Sequence, residues 1–337
     1  MNARLILLPI AAIYKIVTDV RNYLYDKHIF KSKRFPTPII CVGNITVGGT
    51  GKTPIVDRII SHIGDRDTAL VSRGYKRKTR GLVYATSTST AADIGDEPLM
   101  IHNHHKYLTI AIDGNRNAAI KSVIKRKKPR VIIMDDGMQH RSTQAYKYIM
   151  VCDYARPIWK DYLLPAGNLR ESAKGSKRAS IIIINKCPAD LSEAERDEIT
   201  KKMNLNLSQT ILFSTMVYGD IIDGCGKAEL SHTDRILAIA GIARPAPFFD
   251  EVKRRFKTVH TLTFDDHHEY TTDDILDIKE EMKRVDADVI ITTEKDFVRL
   301  PYIAGVKVCY LPIGIEFLFD GEKIFNKKID TYVTKRN

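Results

Sequence analysis

The sequence lacks paired cysteines. Its five cysteines are odd in number, widely scattered and without a Cys-x-x-Cys pair, at Cys41, Cys152, Cys187, Cys225 and Cys309. This usage argues against a disulfide framework or a zinc site and favours a reducing compartment. Several of these cysteines lie in apolar runs, where cysteine usually serves as a small core residue.

The sequence also lacks an apolar run long enough to span a bilayer. Residues 5–14 are apolar but would extend only about 15 Å as a helix, roughly half of a hydrocarbon core. The charged residues Lys15, Asp19 and Arg21 interrupt the next two turns. Apolar residues recur at helical spacing and basic residues flank them, which favours a helix lying in a membrane surface. A helix packed on its own domain and a signal peptide are the alternatives, although the run has no clear small-residue cleavage site after it.

Repeats and low-complexity tracts are absent as well. With 337 residues, 44% of them hydrophobic, the chain is long enough for two globular domains. Its net charge of +12 calls for an anionic partner, which could be nucleic acid, an acidic membrane surface or a phosphorylated substrate. Basic motifs interleaved with aromatic residues, which would support nucleic acid binding, are missing.

Residues 38–54 read PIICVGNITVGGTGKTP and combine an apolar strand, a glycine-rich loop and the start of a helix near Lys52. Backbone amides of such a loop, together with a helix N-terminus, bind phosphate groups. Lys52 would reach the terminal phosphates, and the Thr53 hydroxyl would bind Mg²⁺. The nucleotide-binding residues predicted here are Thr46, Val47, Gly48, Gly49, Thr50, Gly51, Lys52 and Thr53.

One position departs from the usual P-loop pattern. Thr46 stands where that pattern has a glycine, five residues before Gly51. The preceding strand, the three glycines and the Gly-Lys-Thr ending still favour a nucleoside triphosphate site over an ordinary glycine-rich turn.

Residues 131–140 read VIIMDDGMQH, an apolar strand that ends in acidic residues. In the Walker B arrangement, a carboxylate at such a strand tip holds Mg²⁺ or its water beside the P-loop. Asp135 and Asp136 are the candidates, and the sequence does not choose between them. A simple turn is the alternative.

Alternating strand and helix patterns predict an α/β protein with a mostly parallel, P-loop NTPase-type sheet and a second, smaller α/β domain. The predicted division is an N-terminal membrane-associated helix at 1–30, a P-loop kinase domain at 31–218, a linker at 219–233 and a C-terminal α/β domain at 234–337. The linker is predicted from its loss of periodic segments and its glycines.

Other chemistry-bearing residues have ordinary explanations on their own. Asp96 shortly before Pro98 is typical of a helix start. The Asp-His-His run that contains His267 could be a polar loop or hold a general base. His104 and its neighbouring histidines show no acidic partner in their spacing, so we expect them on a surface rather than around a metal.

Taken together, these segments resemble the tetraacyldisaccharide 4'-kinase family, the lipid A 4'-kinases. The matching segments run in the family's order over nearly the whole chain: residues 9–14 with RNYLYD, VGNITVGGTGKTP, SRGY, GDEP, DGNR, MDDGMQH, LPAGNLRE, GIARP, FDDHH and TEKD. Thr46 agrees with the family's own P-loop variant. Asn168 stands where the family usually has proline, which affects only the local loop.

The resemblance implies ATP-dependent phosphorylation of the 4'-hydroxyl of a tetraacylated glucosamine disaccharide 1-phosphate in lipid A biosynthesis. It places the enzyme at the cytoplasmic face of a bacterial inner membrane, as a peripheral or monotopic protein, and we expect a monomer. An acylated phosphosugar accounts for both the amphipathic N-terminus and the positive charge better than nucleic acid does.

The resemblance also implies roles for individual residues. Asp96 becomes the base that takes the hydroxyl proton, paired with His267 of the second domain, and Lys52 stabilises the transferred phosphoryl group. The implied metal-site residues are Thr53, Asp135, Asp136, Gln139 and Glu171. The implied substrate contacts are Arg73, Tyr75, Asn115, Arg116 and His140.

A P-loop NTPase of the metal-handling or partitioning kind is the main alternative. Those proteins usually carry a lysine just before the first glycine of the loop, where this chain has Val47. A basic nucleic-acid-binding module is the non-enzymatic alternative.

Overall fold

The computed structural model describes residues 3–224 and 226–334, so Cys225 of the predicted linker lies outside the described residues. The helices are α1 (Leu8–Asp26), α2 (Lys52–Ile63), α3 (Ala91–Ile94), α4 (Asp96–His104), α5 (Arg116–Lys127), α6 (Glu193–Met203), α7 (Ala246–Arg255), α8 (Thr272–Arg284), α9 (Glu294–Phe297) and α10 (Gly321–Thr334). Shorter 3-10 helices cover Ala3–Leu7 and Ala173–Arg178.

The strands alternate with these helices. They are β1 (Ile39–Gly43), β2 (Thr68–Ser72), β3 (Val83–Tyr84), β4 (Thr109–Ile112), β5 (Val131–Asp135), β6 (Lys147–Asp153), β7 (Ile181–Asn185), β8 (Thr210–Tyr218), β9 (Arg235–Ala240), β10 (Thr258–Thr263), β11 (Val289–Thr293), β12 (Lys307–Leu311) and β13 (Ile313–Phe317). The predicted α/β class, with a mostly parallel main sheet, a second smaller α/β unit and an N-terminal helix, is confirmed.

Within the described residues, the main sheet has nine strands in the order β13-β8-β7-β6-β1-β5-β2-β4-β3. The neighbours pair in parallel except at the two edges, where β13 and β3 run antiparallel to β8 and β4. Central strands β1 and β5 are adjacent, with Val42 opposite Asp135. Because carboxyl ends of parallel strands meet at one edge, the P-loop and the acidic strand tip lie side by side, as the sequence predicts.

Burial explains why these segments fold as they do. All five residues of β1 are buried, as expected of a parallel strand covered on both faces. Helix α2 begins at the predicted Lys52 and buries Ile55, Val56, Ile59 and Ile60, one continuous face of a helix, against the sheet.

The second sheet has four described strands in the order β10-β9-β11-β12, all parallel. Its core includes Ile236 and Ile291 on one face, packed with Phe248 of α7. The other face packs against α8, whose first turn carries a capping box between Thr271 and Asp274.

The chain's last segments differ from the predicted division. Strand β13 pairs with β8 of the main sheet, and α10 packs against α2. Buried Phe325 and Ile329 of α10 join the same core as Ile55. The predicted unit 234–337 therefore contains one part that belongs to the small sheet and a final part that completes the large one.

Helix α1 lies on the surface of the main unit and buries only Ala11 among its described residues. Together with the preceding turn, it exposes large apolar side chains at Ile6, Ile10, Ile13, Ile16, Val17 and Val20. In the described parts of the chain, every helix is too short or too polar to cross a membrane.

Candidate active site

The P-loop joins β1 to α2, and two of its glycines adopt backbone angles that favour glycine. Gly48 and Gly51 have positive φ angles of 91° and 85°. A Cβ on Gly51 would collide with the amide of Asn185, which donates a 2.9 Å hydrogen bond to the carbonyl of Thr50. The loop is thus held from β7 in a shape that leaves its amides available for an anion.

Thr46, the departure from the usual pattern, forms an extended bridge with Leu169. Next to it, the Val47 amide donates to the carbonyl of Asn168 over 2.8 Å. Thr46 has no left-handed backbone angle. A glycine is unnecessary at this position because the backbone is extended and paired.

Lys52, at the start of α2, faces the second acidic residue after β5. Its Nζ lies 3.4 Å from Oδ1 of Asp136, and Nη1 of Arg170 lies 3.1 Å from Oδ2 of the same carboxylate. Burial acts to raise the pKa of Asp136, but these two cations outweigh it and hold that pKa below its usual range. Asp136 is therefore ionised and bridges the P-loop lysine to the 163–172 loop.

Asp135 has a different environment. Ser72 donates to its Oδ2 over 3.2 Å, whereas its buried Oδ1 has no hydrogen-bond partner among the described residues. Burial, reinforced by the carboxylates of Glu97 and Asp136, raises the pKa of Asp135 to about 7. An unpartnered carboxylate oxygen beside a phosphate loop is suited to a cation, which would also relieve this repulsion.

Gln139 and Glu171 form one hydrogen-bonded unit. The Gln139 amide donates to the Asn44 carbonyl at 2.9 Å and to Glu171 Oε1 at 2.8 Å, so its own Oε1 faces Arg170. Arg178 donates to both Glu171 oxygens at 2.8 Å. Glu171 is already saturated with protein donors, and this arrangement favours a role in orienting Gln139 over direct metal binding.

The donors present fit Mg²⁺ held jointly with a nucleotide. Among the described residues, no group of three His, Cys, Asp or Glu side chains could hold a metal ion without help from a bound nucleotide. Mg²⁺ typically uses one or two carboxylates, phosphate oxygens and water. Thr53 at the start of α2 and the free oxygen of Asp135 supply the protein's share of such a set.

Asp96 and His267 are brought together although 171 positions separate them. Asp96 is the first residue of α4, and His267 lies in the loop between β10 and α8 of the small sheet. Nδ1 of His267 is 2.9 Å from Oδ2 of Asp96. Gly95 occupies the N-cap of α4 and the Asp96 carboxylate faces the histidine, so Asp96 does not serve as the helix cap.

A cavity of about 680 Å³ connects these groups. Its walls come from α1, the P-loop, the loop after β2, the start of α4, the end of β5 and the loop after β10. Of the predicted site residues, it is lined by Val47, Arg73, Tyr75, Asp96, Arg116, Asp135, Asp136, Gln139, His140, Glu171 and His267. Of the P-loop, Val47 lines this cavity, whereas Thr46, residues 48–53 and Asn115 are not among its lining residues. Lys52 is connected to the cavity through its contact with Asp136.

Some of the predicted substrate contacts line the cavity, as Arg116 and His140 do, whereas Asn115 has a structural role. Arg116 is buried, its Nε lacks a partner among the described residues, and burial with the charge of Arg73 lowers its pKa. Burial and the charges of Arg116 and Arg21 lower the pKa of His140 to about 4, which leaves it neutral near pH 7. Asn115 instead caps α5 by accepting from the Ala118 amide.

Helix α1 contacts the nucleotide side directly. The Tyr14 hydroxyl donates to the Arg170 carbonyl at 2.9 Å, and Arg21 donates to the Gln139 carbonyl at 2.8 Å. Asn22 donates to Oε2 of Glu171 at 2.9 Å. The polar face of α1 is therefore part of the site, while its apolar face is exposed.

The residue pattern missed one cluster. His104 lies 2.9 Å from Asp57 of α2 through Nδ1 and 2.5 Å from buried Glu294 of α9 through Nε2. These hydrogen bonds raise the pKa of His104 to about 10, so it is protonated near neutral pH. The expected surface position of His104 agrees with the structure. Its local spacing could not show the two carboxylate partners, because both are distant in sequence.

Comparison with known proteins agrees with this geometry. The family model described as LpxK, tetraacyldisaccharide-1-P 4'-kinase, matches residues 3–334. The chain is 42% identical over 337 residues to a tetraacyldisaccharide 4'-kinase of Porphyromonas gingivalis W83, covering 94% of each chain. It is 40% identical to one of Flavobacterium johnsoniae, covering 98% of this chain and 97% of the relative.

The fold is similar to a solved structure as well. A crystal structure of LpxK from Aquifex aeolicus in complex with ATP has a TM-score of 0.78 and 25% sequence identity, covering 98% of this chain and 99% of that one. The family match extends over nearly the whole sequence and includes both sides of the cavity. The chain therefore belongs to the tetraacyldisaccharide-1-P 4'-kinase family.

Proposed function

We propose that this protein transfers the γ-phosphoryl group of ATP to the 4'-hydroxyl of a tetraacylated glucosamine disaccharide 1-phosphate. The observation that carries the proposal is that the acidic tip of β5, which contacts the P-loop lysine Lys52, lines the same cavity as the Asp96–His267 pair. Family membership supports the substrate class. A phosphate-binding loop alone would fit many reactions, whereas a carboxylate–histidine pair facing it fits phosphorylation of a hydroxyl.

The nucleotide side positions the phosphates. The amides of residues 48–53 bind the triphosphate, and Lys52 stabilises charge on the transferred group. Thr53 and Asp135 would hold Mg²⁺, with Gln139 contributing its oriented oxygen and Asp136 and Glu171 supporting the set. Bound Mg²⁺ supplies further neutralisation of phosphate charge.

The acceptor side handles the proton. The sugar 4'-oxygen forms a bond to the γ-phosphorus while the bond from that phosphorus to the β–γ bridging oxygen breaks and ADP leaves. The hydroxyl proton passes to the carboxylate of Asp96, which His267 orients through their 2.9 Å contact.

Four predicted contacts are assigned to the anionic sugar. Arg73 and Arg116 share one wall of the cavity and bring positive charge without a carboxylate bonded to either guanidinium in the described structure. Tyr75 and neutral His140 line the same space and can bind sugar hydroxyls. Asn115 contributes by fixing the start of α5, from which Arg116 projects.

The direct test is incubation of the purified protein with labelled ATP and the acylated disaccharide 1-phosphate in detergent. A lipid carrying a second phosphate is the expected product, and Lys52→Ala should not form it. ATP hydrolysis without a phosphorylated lipid would contradict the proposal and favour the NTPase alternative.

We further propose that the protein is a monomer that binds the cytoplasmic face of the inner membrane through the exposed face of α1. An apolar face beside basic residues fits an anionic bilayer surface, and the cavity wall formed by α1 would meet a substrate whose acyl chains stay in that bilayer.

Ile13→Glu should weaken binding to vesicles of phosphatidylethanolamine and phosphatidylglycerol. Leu207→Glu, at an exposed apolar residue far along the chain, is the matched control. Equal vesicle binding by both variants would contradict this proposal.

A further inference from the structure

We propose that Lys295 is a positioning residue that holds Nε2 of His267 as a hydrogen-bond acceptor, so that the imidazole only donates to Asp96 and Asp96 remains the proton acceptor. This inference rests on the proposed function, because it assigns a role within the Asp96–His267 pair. It concerns a residue that the sequence motifs place only at the start of a helix.

The contacts of the imidazole define its tautomer. Lys295 Nζ lies 3.0 Å from Nε2 of His267, and Oδ2 of Asp96 lies 2.9 Å from Nδ1. An ammonium group can only donate, so Nε2 must accept. In a neutral imidazole the proton then resides on Nδ1 and is donated to the carboxylate.

Lys295 is held rigidly enough to perform this task. It is the second residue of α9, between Glu294 and Asp296, both of which are buried. Glu294 pairs with His104, and Asp296 accepts from the Gly241 amide over 3.0 Å. Both neighbours are thus anchored, and the lysine projects from a short turn with little freedom.

A carboxylate and two further groups complete the surroundings. Lys295 also lies 3.7 Å from Glu97, next to Asp96 on α4. Arg299 Nε is 3.6 Å from Oδ2 of Asp96, and the Tyr75 ring stacks edge-on against His267 with centroids 5.5 Å apart. Every charged group bonded to the imidazole therefore belongs to one of two helices, α4 or α9.

This arrangement decides which group carries the proton. A second proton on Nε2 would point at the Lys295 ammonium and lose a hydrogen bond, so the lysine opposes the doubly protonated imidazole. The Nδ1–H group of His267 donates a hydrogen bond to Oδ2 of Asp96. The other oxygen, Oδ1, is then left to accept the proton of the sugar hydroxyl. His267 then acts as a fixed donor and not as a proton carrier.

The test reads the tautomer directly. Protein labelled with ¹⁵N in histidine gives ring-nitrogen shifts that distinguish the two tautomers, and His267→Gln identifies the resonances of His267. In the wild-type protein we expect a protonated Nδ1 and an unprotonated Nε2 near neutral pH. In Lys295→Met, Nδ1 should stay protonated, because the Asp96 carboxylate still accepts from it, and Nε2 should become protonated as well. Lys295→Arg, which keeps donors, should retain the wild-type pattern.

The kinetic prediction uses the same variants. Lys295→Met should reduce kcat for the lipid by roughly 10- to 100-fold, as expected when a partner that orients a functional histidine is lost, with ATP affinity unchanged. Lys295→Arg should recover part of that rate. Lys283→Met removes an exposed lysine at the end of α8 and should behave as wild type in both measurements.

Each other outcome overturns the proposal. An unprotonated Nδ1 or a doubly protonated ring in the wild-type protein would do so, as would an Nε2 that stays unprotonated in Lys295→Met, whatever its rate. A protonated Nε2 in Lys295→Met with wild-type kcat would show that the acceptor state of Nε2 has no catalytic role. Absence of lipid phosphorylation by the wild-type protein would instead contradict the proposed function, since the tautomer measurement requires no substrate.

Discussion

The nucleotide side of the cavity comes from neighbouring strands of one sheet, whereas the acceptor side joins residues from two sheets. The P-loop follows β1, and Asp135 ends β5, its direct neighbour in register. Asp96 begins α4 beside the main sheet, and His267 follows β10 of the small sheet. The first side is set by the core of a single sheet, and the second depends on how two sheets are held together.

The contacts between the two units are consistent with this difference. They include His104–Glu294 and Glu97–Lys295 between α4 and α9, Asp96–Arg299 just beyond α9, and the exposed pair Lys78–Glu269. Changes on the nucleotide side should therefore affect ATP and phosphoryl transfer together. Changes on the acceptor side should affect transfer while leaving nucleotide binding intact.

The largest expected effect is on the nucleotide side. Lys52→Ala should reduce lipid phosphorylation by roughly 10³-fold, because the variant loses a cation that stabilises the transferred group. It should also weaken ATP binding, which steady-state kinetics and calorimetry measure. The exposed Lys201 of α6 offers a control, Lys201→Ala. Normal ATP affinity with a lost rate would contradict the expected coupling of the two properties.

The acceptor side should respond differently. Asp96→Asn should reduce kcat by roughly 10²-fold or more, as general bases typically contribute 10²- to 10⁴-fold, with ATP affinity unchanged. The kcat of His267→Gln should fall less than that of Asp96→Asn, because the Asp96 carboxylate remains. Calorimetric ATP titrations beside the lipid assay separate these effects, and a wild-type rate in Asp96→Asn would exclude it as the base.

A smaller effect is expected where α1 meets the nucleotide side. Asn22→Ala removes one of the donors to Glu171 and should raise the Mg²⁺ concentration for half-maximal ATP binding about 5-fold, the value of one ordinary hydrogen bond. Lys15→Ala breaks an exposed ion pair with Asp19 on the same helix and serves as the control. An unchanged Mg²⁺ dependence in Asn22→Ala would show that ATP binding with Mg²⁺ does not depend on this contact from α1.

The smallest effect concerns stability at the contact between the sheets. Folding raises the pKa of His104 to about 10 from a usual value near 6.5, so its contribution is complete below about pH 6.5 and disappears as the pH rises through 10. His104→Gln should lower the unfolding temperature by roughly 2–4 °C near neutral pH, for a loss of about 1 kcal/mol. Thermal unfolding of both proteins should converge towards pH 10, and a constant difference would refute the assignment.

Residue patterns predicted the nucleotide side because its signals are local. The strand before the P-loop, the start of α2 at Lys52 and the acidic end of β5 are each encoded within a few residues. The Asp96–His267 pair followed only from the family resemblance. No local pattern connects residues that far apart on different sheets.

The remaining differences share one physical cause. A five-residue strand such as β13 can pair with either sheet, and its place beside β8 is decided by packing of the whole unit. The partners of His104 likewise come from α2 and α9. Saturation of Glu171 by Arg178 also has no sequence signal, because charge pairs between loops depend on tertiary structure.

The position of α10 also constrains the order in which the protein can mature on the ribosome. Phe325 and Ile329 fill the core beneath the helix that begins with Lys52, yet they follow the entire small sheet in the sequence. The unit that contains the P-loop thus stays incomplete until translation has passed through the entire small sheet. A chain that stopped before α10 would contain every predicted nucleotide-binding residue and still lack part of the core that supports them.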